Sequence, residues 1–123
     1  MDLTLEKPGE HLFVRSVNEE GIQVVDEIYT VPVILSAQRV IPDWPVKRIQ
    51  DIEDHHLDHI LELQPEVVLI GSGAKQSFLS PRQMMFFYSR NLGVEVMTTT
   101  AACRTFNVLV SEARSVVAAL IPL

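Results

Sequence analysis

Two stretches in the second half of the chain hold residue types that could bind or react. The run Val67-Val68-Leu69-Ile70-Gly71-Ser72-Gly73 is apolar until it ends in two glycines around a serine. Glycines beyond the carboxyl end of a buried strand let backbone N–H groups turn toward an anion. The spacing is not a dinucleotide fingerprint, because Gln76 stands where a third glycine belongs, and Lys75 is wrongly spaced for a Walker loop. Further on, Thr98-Thr99-Thr100 opens a segment in which Cys103, Arg104, Asn107 and Ser111 share one polar arc of a helix. A cysteine in a first helical turn, next to an arginine, is placed to favour a thiolate. All four histidines (His11, His55, His56, His59) lie in the other half, so the thiol has no evident base, and a small packed side chain is expected. Gly71, Ser72, Gly73, Thr98, Thr100, Cys103, Arg104 and Asn107 are therefore candidate residues for a small anionic ligand, and no residue is assigned to catalysis.

Two other clusters point to different chemistry. Asp54-His55-His56-Leu57-Asp58-His59 sets His55 and His59 four apart on the polar side of a helical period, a spacing that zinc sites use. A third ligand would have to come from elsewhere, so a solvated polar face is expected, with no metal and no cofactor. In the segment after Ser80, Met84, Met85, Tyr88 and Leu92 share one face, and Phe86 falls on the other between Arg82 and Arg90. An aromatic held among arginines resembles the centre of an interaction patch, so Arg82, Phe86 and Arg90 are candidate contacts for a protein partner or a second copy.

Positioning these residues requires a particular order of elements. Alternation over 11–17, a turn at Asn18-Glu19-Glu20-Gly21 and an extended run over 22–25 predict an antiparallel hairpin after an irregular lead-in over 1–10. Residues 28–35 read as one β-branched strand marked by Pro32 as an edge or bulge, followed by a loop at Pro42-Asp43-Trp44-Pro45. Apolar residues at helical spacing predict a surface helix over about 51–63, ended by Pro65. Then come a buried strand over 67–70 and a helix over 81–92, capped by Ser80 and closed by Gly93 in a left-handed position. A second buried strand over 94–98 leads to a third helix, capped by Thr99 or Thr100, that runs to about Glu112. The last segment, 115–121, is a strand or a continuation of that helix, pairing inside the sheet or across a dimer. The fold class is α/β: a parallel βαβαβ half joined to an N-terminal antiparallel hairpin in one domain over 1–123.

Composition narrows the function classes. The 123 residues are 47% hydrophobic and 21% charged, which suits a packed core without disulfide or metal staples. A net charge of −6 argues against nucleic-acid backbone binding. The charge is uneven: five basic against thirteen acidic side chains up to Leu63, five against three after it, so an anion is expected to prefer the second half. One cysteine, no basic-then-apolar leader and no apolar run long enough to span a bilayer predict a cytoplasmic protein without membrane insertion.

The stretch from Glu95-Val96-Met97-Thr98-Thr99-Thr100-Ala101-Ala102-Cys103-Arg104-Thr105-Phe106-Asn107 through Glu112-Ala113-Arg114 to Val116-Val117-Ala118-Ala119-Leu120-Ile121-Pro122 resembles the Mth-type domain family. Pro65 to Gly73 extends the likeness. The family includes the third assembly factor of mitochondrial respiratory complex I and an adipogenesis-associated protein. The resemblance implies a three-layer β/β/α arrangement, no established catalytic residues, and action through protein partners. Two departures stand out: Ser72 replaces the threonine of a frequent Gly-Thr-Gly, and Ala113 replaces the glycine of a frequent Glu-Gly-Arg. If position 113 needs a positive φ, alanine there costs about 1 kcal/mol. Together these features predict a non-enzymatic interaction or assembly protein of the bacterial cytoplasm, with a membrane respiratory complex as its client. The alternative is a small-ligand-binding domain or enzyme built on the glycine loop and the start of the third helix.

Overall fold

A computed structural model describes residues 10–123, so all but the last residue of the expected lead-in lies outside it. The N-terminal strands β1 (Val14–Asn18), β2 (Gly21–Val24) and β3 (Glu27–Tyr29) form a small antiparallel sheet in the order β1-β2-β3. The predicted hairpin is its first two strands. Asn18 turns the chain by accepting the Glu20 N–H, and Gly21 (φ +139°) admits no side chain, since a Cβ there would lie 2.6 Å from the Tyr29 carbonyl oxygen.

The strand expected over 28–35 is two strands in two sheets. Pro32 has no N–H to give to a ladder, and around it the chain leaves the small sheet after β3 and enters a larger one as β4 (Val33–Ser36). β4 pairs antiparallel with β5 (Val40–Pro42), a strand absent from the sequence reading. The larger sheet has the order β5-β4-β8-β6-β7. In it β6 (Val67–Gly71) runs parallel to both β7 (Gly93–Met97) and β8 (Val116–Leu120), while β8 is antiparallel to β4. The last segment is thus a strand within the sheet of its own chain, and all five of its residues are buried.

Side chains alternate across this sheet with period two and feed two cores. Leu35, Leu69, Ala118 and Leu120 face the small sheet and α3 (Thr99–Ser111). Ile34, Ile70, Val117 and Ala119 face Trp44, Ile60 and α2 (Pro81–Tyr88). The large sheet is therefore the middle of three layers.

The helix expected over 51–63 is broken. Two short 3-10 turns, Ile49–Asp51 and Asp54–Leu57, precede a five-residue α1 (Asp58–Glu62). Burial of Ile49, Ile52, Leu57 and Ile60 against the sheet, with the indole of Trp44 donating to the His56 carbonyl at 3.0 Å, overrides the continuous period. Two boundaries also move. α2 ends at Tyr88, four residues early, and Asn91 (φ +58°) takes the left-handed role expected of Gly93. α3 is capped by Thr98, whose hydroxyl accepts the Ala101 N–H, which leaves Thr99 for another task. β7 is an edge strand and only half-buried, because it has a sheet neighbour on one side only. Ala113 does sit at φ +59°, two residues beyond the end of α3.

Candidate functional site

The carboxyl ends of β6 and β7 meet at one rim, as the sequence requires of a ligand cleft, and there the end of β8 joins them. The contact is filled. Thr99, fully buried, accepts the Gly73 N–H on Oγ1 at 2.8 Å and donates its hydroxyl to the Ile121 carbonyl at 2.5 Å. Its own N–H reaches the Gly73 carbonyl at 3.0 Å, and the Ser72 N–H reaches the Met97 carbonyl at 2.8 Å. Gly71 lets Thr99 approach this closely: a Cβ at 71 would lie 2.7 Å from Thr99 Oγ1 and 2.9 Å from its Cα. Gly73 (φ +97°) supplies the left-handed turn. Ser72 closes the loop, donating to the Lys75 carbonyl at 2.6 Å and accepting the Ser77 N–H. The N–H groups of Ser72 and Gly73, which an anion nest would present, are thus engaged within the fold.

The other candidates face away from that rim. Thr100, Cys103, Arg104 and Asn107 line an open groove of about 350 Å³ between α3 and β1, across from Arg15, Ser16 and Val17. Asn107 does not hydrogen-bond the threonine loop. Its amide accepts the Val14 N–H at 2.8 Å and donates to the Val14 carbonyl at 2.9 Å, so it clips the edge of the small sheet to α3. Cys103 is buried in the core, and burial pushes its thiol up to about 12, the reverse of a thiolate nucleophile. Arg104 is exposed and makes no ion pair among the described residues.

The arginine–aromatic strip on α2 is assembled but occupied. Arg82 forks onto Glu53 (2.8 and 3.3 Å) and lies 5.1 Å over the Phe86 ring, while Arg90 forks onto Asp54 (2.8 and 3.0 Å). These hydrogen bonds, and then the arginine charges, hold both carboxyls below their ordinary range. Phe86 is half-buried against the second core, so it is partly a packing residue. The faces of α2 also differ from expectation: Gln83 and Phe87 are buried, whereas Met85 and Tyr88 are exposed. Gln83 went unnoticed in the sequence. Its Oε1 accepts the Ser80 N–H, and its amide donates to the Ile49 and Ile52 carbonyls. The Ser80-x-x-Gln83 spacing of a capping box was the available signal.

The histidines do not form the expected helical pair, because His55 lies on a 3-10 turn and His59 on α1. Among the described residues no group of three or more His, Cys, Asp or Glu side chains could hold a metal ion. His56 Nδ1 accepts the Glu53 N–H at 2.9 Å, and burial, then the neighbouring His55, lowers its pKa.

The three-layer α/β fold is shared with a solved Bordetella pertussis protein described as a Mth938-like domain, which superposes with a TM-score of 0.80, at 28% identity over 99% of this chain and 92% of the other. A Bordetella parapertussis protein matches with a TM-score of 0.86, at 33% identity over 95% and 100% of the two chains. Residues 14–121 match the family described as "Protein of unknown function (DUF498/DUF598)", and the chain belongs to that family. Among curated relatives, NADH dehydrogenase [ubiquinone] 1 alpha subcomplex assembly factor 3 of Xenopus tropicalis is 32% identical over 93% of this chain and 63% of its own length. The chain spans about three fifths of such assembly factors. The 13 kDa major membrane protein of Francisella tularensis is 40% identical over 72% of each chain. Among the described residues no helix is long and apolar enough to cross a membrane.

Proposed function

We propose that this chain is a non-enzymatic docking domain, one unit over 1–123, that helps a membrane respiratory complex assemble through protein contacts made from the cytoplasm. The stitched rim carries the reading. Ligands in open α/β sheets bind beyond the carboxyl ends of the strands, and here that position is closed by Thr99, Gly73 and Ile121. A protected, buried Cys103 and the assembly-factor names of relatives that match across most of the chain support it further. Arg82, Phe86 and Arg90 are proposed as contact residues through the parts of their surfaces left exposed. The test is to run membranes from cells lacking the chain on native gels. The NADH dehydrogenase complex should be held in partial assemblies and restored by the wild-type chain; full assembly without it refutes the proposal.

A second reading rests on Arg104, a guanidinium without an ion-pair partner among the described residues, beside Thr100 and Asn107 in an open groove. A small anion there would stabilise the fold by RT ln(1 + [L]/Kd). A thermal-shift screen of phosphates, nucleotides and dicarboxylates tests it. A rise in Tm abolished by Arg104→Gln supports this reading, and no shift across the panel removes it.

A further inference from the structure

The sheet edges of this molecule are protected unequally. Proteins blunt exposed edges with short strands, proline or covering side chains. β3 and β5 have three residues each, β5 ends in Pro42, and β1 has its Val14 N–H and carbonyl taken by Asn107. β7 has five residues and pairs only with β6. Backbone groups alternate in direction along a strand. The Val96 carbonyl accepts a side chain from outside the sheet, Gln76 Nε2 at 3.0 Å, so the main-chain groups of Val94 and Val96 point away from β6. Beside them Val94, Val96, Leu79 and Met84 line an apolar groove of about 190 Å³, with Phe78 at its margin. Phe78 is 77% exposed, the most exposed large apolar side chain among the described residues. On the opposite face Glu95 is exposed and makes no ion pair among the described residues.

A second copy is a poor occupant. The antiparallel register that joins Val94 of one chain to Val96 of the other sets Glu95 against Glu95 of the second copy, across about 4.5 Å between Cα atoms. Like charges directly opposite are destabilising. We propose that β7 is the docking edge for an extended segment of a different protein, whose basic residue faces Glu95 and whose flanking apolar residues enter the groove beside Phe78. Strand alternation makes this pattern self-consistent: the residue opposite Glu95 shares its face, and its two neighbours fall on the face of Val94 and Val96. The partner displaces Gln76 and takes over the Val96 carbonyl. Glu95 thus disfavours self-pairing in that register and selects a basic strand with the same charge.

The inference deepens the docking-domain reading and rests on it. The probes are two capped peptides, Thr-Val-Lys-Val-Thr and Thr-Val-Glu-Val-Thr, titrated into the labelled chain while the Val94 and Val96 amide resonances are followed. The lysine peptide should shift both amides and bind at least about fivefold more tightly than the glutamate peptide, a ratio equal to about 1 kcal/mol. Glu95→Lys, at an exposed position, should reverse that preference. Equal binding of both peptides, shifts confined to other segments, or an unreversed preference in Glu95→Lys would overturn the inference. Concentration-dependent shifts at Val94 and Val96 without peptide would overturn it in favour of a dimer. Normal assembly of the respiratory complex in cells lacking the chain, with the charge preference intact, would remove the client and leave the edge standing.

Discussion

Replacing Thr99 by valine tests the closed rim directly. Valine keeps the branched shape, so no cavity opens, and the fully buried site stays filled. The replacement removes one acceptor and one donor together, leaving the Gly73 N–H and the Ile121 carbonyl without their 2.8 and 2.5 Å partners. Each buried polar group so orphaned costs about 1–3 kcal/mol. Thr99→Val should therefore destabilise the fold by about 3 kcal/mol, and by no less than about 2. With a urea slope of about 1.5 kcal/mol/M, the unfolding midpoint should fall by about 2 M. Thr99→Ser keeps both hydrogen bonds and loses one methyl, so its loss should stay near 1 kcal/mol. The assay is equilibrium urea unfolding followed by far-UV circular dichroism. A loss below about 0.5 kcal/mol for Thr99→Val, or equal losses for valine and serine, would refute the hydroxyl's role and reopen the rim as a ligand cleft.

Three further outcomes follow from single positions. Ala113 is exposed at φ +59°, so Ala113→Gly should relieve backbone strain and stabilise by about 0.5–1 kcal/mol, net of the entropy glycine adds to the unfolded chain; an unchanged or lower Tm contradicts this. Burial pushes the Cys103 thiol up to about 12, so the native protein should resist iodoacetamide at pH 8 and react only when unfolded, as read by mass spectrometry. His56 is held below its ordinary value, chiefly by burial, so the unfolded chain binds the proton first. The stability it contributes is complete above about pH 6.5 and is lost as the pH falls toward the lowered value. His56→Gln should flatten the fall in urea midpoint between pH 7.5 and 5.5, and an unaltered slope would disprove the assignment.

The candidate site was half legible. Two glycines after a buried strand and a threonine run after the next do meet at one rim, as their places in a βαβαβ chain demand. The identity of the buried threonine was not legible. The local pattern favours Thr99 or Thr100 as the cap of α3, and only the β8 end decides that Thr98 caps while Thr99 turns inward to Ile121. Asn107 lay on the expected polar arc, but its partner is Val14, 93 positions away, and no local pattern encodes that pairing. Arg82 and Arg90 were correctly flanking Phe86; that Glu53 and Asp54 hold them depends on the broken helix before α1.

Local chemistry determined the strands with continuous apolar runs, the capped start of α2 and the absence of an internal disulfide. These depend on period, caps and backbone sterics, which act over a few residues. Tertiary structure decided which sheet each N-terminal strand joins, the burial of β8 at the centre, the break before α1, and β7 as an open edge. Those outcomes depend on which surfaces meet, and burial against a distant neighbour outweighs a local preference of a few tenths of a kcal/mol per residue.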